Sequence, residues 1–264
     1  MQSPSDQRPT PPASPPAGGL GRLFVHYVLH PFFGLLFDLS GGVFRADGCR
    51  FYIPRQMSTI GWRGVCCWRG EYEADERQLI RQFVRPEDTV LELGACLGVV
   101  SCVTNQLLRD RSRHVVVEAN PLLIPWLFRN REANNAGFLV EHCAVGKPPE
   151  VTFYLPSTAV VDGSAKRKSG REVRLPSRSL QELHERYGPF DTLVADVEGS
   201  EIDVLEGSAL VLQTYRLAII EFHPSMIGED KVARCREILT ACGLRLAGKA
   251  GFTEVWERPA GRCP

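Results

Sequence analysis

Residues 89–101 read TVLELGACLGVVS, from Thr89 to Ser101. The apolar pair Val90-Leu91 leads to Glu92 and then to a glycine-bracketed turn, Gly94-Ala95-Cys96-Leu97-Gly98. Beyond the turn, Val99, Val100, Val103 and Leu107 return at helical spacing. Strand, glycine turn and helix together give such a turn its meaning. The tight bend lets the backbone approach a ligand, and the first helical turn leaves N–H groups free. In open α/β sheets, ligands sit off the carboxyl ends of the strands, where this turn lies.

The spacing excludes two common phosphate binders. A dinucleotide-binding turn has G-x-G-x-x-G with an acid about 20 residues later, and a Walker loop has Lys and Ser/Thr after its last glycine. Here Gly98 is followed by Val99. One acid, Glu92, precedes the turn, and a second, Glu118, closes the next apolar run, His114-Val115-Val116-Val117. A carboxylate at a strand end can accept two hydrogen bonds from ribose hydroxyls. Glu92 is expected to face a cationic group such as an amino-acid ammonium. The plain alternative for this stretch is an ordinary α/β domain with a glycine-containing βα loop.

The chain has 264 residues, 31 basic and 31 acidic side chains and zero net charge. That length suffices for one core with an extension. No basic run exceeds Lys166-Arg167-Lys168, so no nucleic-acid partner is expected. The nine cysteines form no C-x-x-C pair, and Cys66 and Cys67 are adjacent. This pattern reads as free, mostly buried thiols in a reducing, cytoplasmic compartment.

Residues 1–19, rich in Pro, Ser, Ala and Gly, read as a disordered tail without the basic start of a signal peptide. Residues 20–70 read as an extension. Leu20–Leu39 is strongly apolar, with Arg22 and Asp38 its only charges, but Pro31 and Gly34 interrupt it. Two short helices broken at Pro31 are expected, docked on the domain or lying on a membrane surface. Asp47-Gly48 marks a hairpin within Val43–Pro54, and Gly61–Gly70 reads as a loop. Glu71-Tyr72-Glu73 are expected to open a helix whose apolar face holds Leu79, Ile80, Phe83 and Val84.

Residues 71–258 read as the α/β domain. Strands are expected at Phe138–Glu141, Val151–Leu155, Val173–Leu175, Phe190–Val197 and Leu217–Phe222, with a closing hairpin at Leu244–Leu246 and Phe252–Trp256. Helices are expected at Leu122–Asn135, around Leu180–Tyr187 and at Val232–Cys242. The polar insertion Thr158–Gly170 reads as a substrate-facing lid or a solvated loop. Asp196 and Glu198 end one strand, and Glu221 and His223 the next. Paired carboxylates at a strand end are costly unless solvated or matched to a ligand; Glu198 capping the following helix is the plain alternative. His223, tunable near neutrality, is the first choice for a general base, with Asp196 or Glu198 second. Carboxylate and imidazole ligands permit a divalent cation there, but the spacing is not diagnostic and no metal is assigned.

These residues resemble the FkbM-type methyltransferases, a branch of the class I S-adenosylmethionine-dependent enzymes. That family reads D-x-G-A-N-x-G at the first loop, matched by Glu92-Leu93-Gly94-Ala95-Cys96-Leu97-Gly98. Its E-P/A-N-P appears as Glu118-Ala119-Asn120-Pro121, and its E-x-H as Glu221-Phe222-His223. The long motif D-V-E-G-x-E-x-x-V-L-x-G runs from Asp196 to Gly207. The likeness extends from about Tyr72 to Trp256. It implies a Rossmann-like fold with a seven-stranded, mostly parallel sheet flanked by helices, the N-terminal extension lying outside the shared core. It also implies transfer of a methyl group to a hydroxyl, commonly on a sugar or other small acceptor. S-adenosyl-L-methionine would lie on Glu92, Gly94, Ala95, Cys96, Gly98, Glu118 and Ala119, with Cys143 and Ala144 at the adenine and Asp196 nearby. Two residues depart from the pattern. Cys96 stands where the family has Asn, which tolerates left-handed backbone better, and Val194 stands where it often has Lys. The competing reading is a cofactor-binding scaffold without catalysis, anchored by Leu20–Leu39.

Overall fold

The computed structural model describes residues 28–55, 59–67, 70–146, 149–155 and 170–259. The expected tail, residues 20–27 and nearly all of the polar insertion lie outside them. Asp47-Gly48 turns the chain between β1 (Val43–Ala46) and β2 (Cys49–Tyr52), both at positive φ. Then come β3 (Val90–Leu93), β4 (His114–Glu118) and β5 (Leu139–His142). A side sheet of β6 (Ala144–Val145), β7 (Glu150–Leu155) and β8 (Arg171–Arg178) follows. The chain closes with β9 (Thr192–Ala195), β10 (Leu217–Glu221), β11 (Arg245–Ala250) and β12 (Thr253–Glu257).

The central sheet has seven strands in the order β11-β12-β10-β9-β3-β4-β5. All its pairings are parallel except those of β12 with β10 and β11. From β3 the chain winds outward through β4 and β5; from β9 it winds the other way. The reversal between β3 and β9 opens a crevice at their carboxyl ends, the place where such sheets take ligands.

Both faces of the sheet are covered, which is why its strands read as apolar runs rather than alternating ones. All four residues of β3 are buried. On one face Val90, Val194 and Ile219 pack with Leu79 and Ile80 of the Ala74–Phe83 helix and Val100 and Val103 of the Val99–Leu107 helix. On the other, Leu91, Leu193 and Ile220 pack with Leu183, Leu205 and Leu239. A capping box opens the Leu180–Tyr187 helix: Glu182 N donates to Ser179 Oγ at 3.1 Å, and Ser179 N to Glu182 Oε2 at 2.7 Å.

The extension shares this core. Phe37, Phe44 and Phe51 lie in one buried cluster with Val100 and Leu127. Asn130, fully buried, ties β2 to the glycine turn: Tyr52 N donates to its Oδ1 at 2.7 Å, and its Nδ2 donates to Leu97 O at 3.0 Å. Pro31 sits in the first turn of the His30–Leu39 helix, where no backbone N–H is needed; most of the helix expected before it lies outside the described residues. Residues 61–67 are not a loop: Ile60–Trp62 and Arg63–Cys67 are helical. Gly34, which suggested an interruption, and Gly64, which suggested a loop, serve close packing. A Cβ on Gly34 would meet Ile60 O at 1.8 Å, and one on Gly64 would meet His30 O at 2.1 Å. Arg63 pairs with Asp38 across this contact at 2.7 Å. The His30–Leu39 helix therefore docks on the domain, while Phe32, Leu35 and Leu39 stay exposed on its outer side. No helix among the described residues is long and apolar enough to cross a membrane.

Candidate active site

The glycine turn is built by necessity. Gly94 has φ +86° and lies against the loop after β9, where a Cβ would fall 1.6 Å from Asp196 O. Gly98, φ +77°, precedes the Val99–Leu107 helix and abuts Leu127. Between them Cys96 takes a left-handed conformation, φ +50°. The turn keeps its shape and its strain falls on a cysteine, at roughly 1–2 kcal/mol. Cys96 N donates to Glu118 Oε2 at 2.7 Å, and its thiol lies 3.5 Å from Tyr72 Oη.

A cavity of about 270 Å³ opens over this turn. Gly94 and Cys96 form its floor; Glu118, Ala119 and Asn120 follow from the end of β4, and Cys143, Ala144 and Val145 from beyond β5. Leu123 and Phe153 add apolar wall, and Trp62, Tyr72 and Glu73 close the near side. Asp196, Val197 and Glu198 complete it. Four carboxylates thus line the cavity, and no Lys or Arg stands among its described lining residues. Glu118 is fixed by two backbone donors, Asn120 N at 2.6 Å and Cys96 N at 2.7 Å. Burial outweighs those bonds and lifts its carboxyl to about 7. Burial likewise lifts Glu73 to about 7, and its Oε2 is buried without a hydrogen-bond partner.

Beside the cavity, the ends of β9 and β10 bring Asp196, Glu198, Glu221 and His223 together. His223 Nε2 lies 3.6 Å from Asp196 Oδ1 and 3.9 Å from both Glu198 Oε2 and Glu221 Oε1. Its Nδ1 meets Glu201 Oε1 at 2.6 Å. Burial alone would pull the imidazole down, but the Glu201 hydrogen bond and the charges of Asp196 and Glu198 lift it to about 9. Asp196 is held well above the usual carboxylate range by burial and by Glu221.

The profile of a family described as "Methyltransferase FkbM domain" matches residues 92–246, more than half of the chain. The chain belongs to the FkbM methyltransferase family. It is an S-adenosylmethionine-dependent methyltransferase. Solved structures that resemble it in fold include the precorrin-6y C5,15-methyltransferase of Geobacter metallireducens, at 10% identity and TM-score 0.45, covering 69% of this chain and 87% of that one. Aeropyrum pernix fibrillarin with natively bound S-adenosyl-L-methionine matches at 13% identity and TM-score 0.42, covering 69% and 73%. M. jannaschii TYW2 in complex with AdoMet matches at 13% identity and TM-score 0.40, covering 82% and 86%. No curated protein matches the chain.

The cavity of this FkbM methyltransferase suits that cofactor. Gly94 leaves the floor without a side chain, Glu118 is fixed as a double acceptor, and the acidic wall matches a ligand carrying a sulfonium and an ammonium. Of the residues expected to hold the cofactor, Gly94, Cys96, Glu118, Ala119, Cys143, Ala144 and Asp196 line the cavity. Three others do not. Glu92 is only 2% exposed; it accepts a hydrogen bond from Ser101 Oγ and lies 3.1 Å from His114 Nε2, inside the core. Ala95 faces the buried cluster, and Gly98 shapes the turn from behind. His223, the first choice for a general base, does not line the cavity, whereas Asp196 and Glu198, the second choice, do. Val194, where the family often has Lys, is buried beside Glu92 in register.

Sequence reasoning missed Glu73, the acid that does reach the cavity from the N-terminal side. Its left-handed backbone, φ +52°, delays the helix to Ala74 and turns the chain there. Nothing in the local sequence signals this; a glutamate before a helical pattern reads as its first turn.

Proposed function

We propose that this chain transfers the methyl group to a hydroxyl on a sugar or another small acceptor. The observation that carries the reading is the pair Asp196 and Glu198, held on the wall of the cavity that Gly94 and Glu118 also line. When bound, the cofactor supplies a methyl group on a positively charged sulfur, so the methyl carbon bonds to the acceptor oxygen as its bond to sulfur breaks. Everything else falls to the protein: alignment and a proton acceptor. Glu118 takes the ribose hydroxyls, Glu73 takes the ammonium, and the backbone at Cys143 and Ala144 meets the adenine edge. Asp196, raised above the usual carboxylate range, and Glu198 are placed to receive the hydroxyl proton. His223, fixed by Glu201, faces these acids.

A small acceptor fits better than a nucleic acid. Basic and acidic residues balance at 31 each, and an acid-walled cavity repels a phosphate backbone. The test is a labelled-methyl transfer screen with monosaccharides, glycosides and polyols beside amines, carboxylic acids and RNA. Label is expected on a hydroxyl of a small acceptor, and Asp196→Asn should lower the rate by about 100-fold or more. Label appearing only on nitrogen, on a carboxylate or on RNA would overturn the reading.

A further inference from the structure

The acidic cluster beside the cavity reaches beyond the residues that the motifs place there. Side chains alternate along a strand. Asp196 and Glu221 therefore share the sheet face on which Val194 and Ile219 pack, and that face is covered by the Ala74–Phe83 helix. From that helix Glu76 comes down onto them. Oxygens of Glu76, Asp196 and Glu221 all lie within 4.8 Å of one another, and so do ligand atoms of Asp196, Glu198 and His223. Asp196 belongs to both groups.

Glu76 is the independent observation. It is 5% exposed, and it makes no hydrogen bond or ion pair among the described residues. Its carboxyl points at two other carboxyls. Asp196 Oδ1 is also buried without a hydrogen-bond partner. A buried carboxylate facing like charges is strongly unfavourable unless a cation or a proton sits between them.

The imidazole is set up in the same sense. Glu201, buried, accepts from His223 Nδ1 at 2.6 Å, which fixes the ring and leaves Nε2 directed at the carboxylates. A carboxylate behind a ring N–H is the usual support of a histidine that binds a metal. The separations of 3.6–3.9 Å from Nε2 to its neighbours exceed hydrogen-bond length. They match two ligands of one ion, since bonds of roughly 2.1 Å put ligand atoms about 3–4 Å apart.

We propose that Glu76, Asp196, Glu198, Glu221 and His223 form a divalent-cation site of the Mg²⁺ or Mn²⁺ class beside the methyl-donor cavity. Oxygen ligands with one imidazole suit these ions, Mn²⁺ above all. The role of the ion rests on the hydroxyl-methylation reading. The acceptor hydroxyl binds the ion, which lowers the pKa of the O–H, and a carboxylate oxygen of Asp196 or Glu198 turned away from the ion takes the proton. The oxygen is then the nucleophile, placed next to the cavity.

The experiment uses the full chain stripped with a chelator, with Mn²⁺ as the probe. Mn²⁺ binding is followed by the loss of the free-ion electron paramagnetic resonance signal, and S-adenosylmethionine binding by calorimetry on the same samples. One Mn²⁺ is expected per chain. Glu76→Gln should weaken it by roughly 10–100-fold, and Asp196→Asn should abolish it. Glu221→Gln is a second variant against the risk that one of these fails to fold. Cofactor affinity of Glu76→Gln should stay within about threefold of wild type, because Glu76 lies outside the cavity wall. Cofactor binding without any Mn²⁺ binding at millimolar levels would overturn the cation site, protons then neutralising the cluster, and would leave the methyltransferase reading standing. Equal Mn²⁺ affinity in wild type and all three variants would overturn the placement. Mn²⁺ bound as expected, with label transferred to no hydroxyl, would uphold the site and overturn the acceptor instead.

Discussion

A methyl group on Gly94 would fall 1.6 Å from the carbonyl oxygen of Asp196. The loop after β3 and the loop after β9 therefore touch backbone to backbone, and the absence of a side chain at 94 is what lets both reach one cavity. Gly94→Ala should force the two loops apart, because φ +86° is already unfavourable for alanine before the clash is counted. The expected result is at least about 2 kcal/mol of lost stability in denaturant unfolding, with cofactor binding undetectable by calorimetry. Unchanged binding would show that the loops separate without harm to the floor.

Cys96 holds a left-handed conformation that asparagine adopts more readily. Cys96→Asn should stabilise the chain by roughly 0.5–1 kcal/mol, seen as a rise in Tm of about 1–4 °C. The Cys96 N–H bond to Glu118 is a backbone bond and survives the change. Cofactor affinity should therefore hold.

Glu92 lies in the core and Glu73 on the cavity wall. Glu92→Ala removes the partner of both Ser101 and His114 in the core, so it should cost about 3–5 kcal/mol of stability. Glu73→Gln should leave Tm within a few degrees and weaken the cofactor by about tenfold, since it removes charge from the cavity wall and little packing. Thermal melts and calorimetry on the two variants separate these outcomes. Loss of affinity in a folded Glu92 variant, with none at Glu73, would reverse the assignment.

Cofactor binding should depend on pH through Glu118. Folding raises this carboxyl from its ordinary 4.5 to about 7. An acid raised on folding contributes stability that is full below its unfolded value and is lost as pH climbs through the folded one. The cofactor-free protein should thus lose stability between roughly pH 4.5 and pH 7. The ribose hydroxyls need the ionised acceptor, so affinity should move the opposite way, about tenfold tighter near pH 8 than near pH 6. Glu73, also lifted to about 7, contributes in the same range. Glu118→Gln should flatten part of the profile, and the double variant with Glu73→Gln the rest.

Much of this was legible in the chain itself. Apolar runs and the glycine turn marked the strands and their ends, and the resemblance carried by the motif from Asp196 to Gly207 implied the class I sheet. These are local properties: a run of apolar residues must be buried, and a bend at positive φ needs glycine. The glycines at 34 and 64 misled for a related reason, because the same lack of a side chain serves a loop or a close helix contact, and only the partner segment decides between them.

Which acid faces which space was decided by the tertiary structure. Both faces of a parallel sheet are buried, so alternation along β3 could not say whether Glu92 would meet a ligand or Ser101 and His114. Glu73 enters the cavity because the backbone turns left-handed just before a helix, and Glu76 meets Asp196 and Glu221 because that helix lies across the sheet. A carboxylate's solvation and its neighbours set its charge, and for Glu76 those neighbours, Asp196 and Glu221, lie over a hundred positions away along the chain. Local sequence carries no record of them.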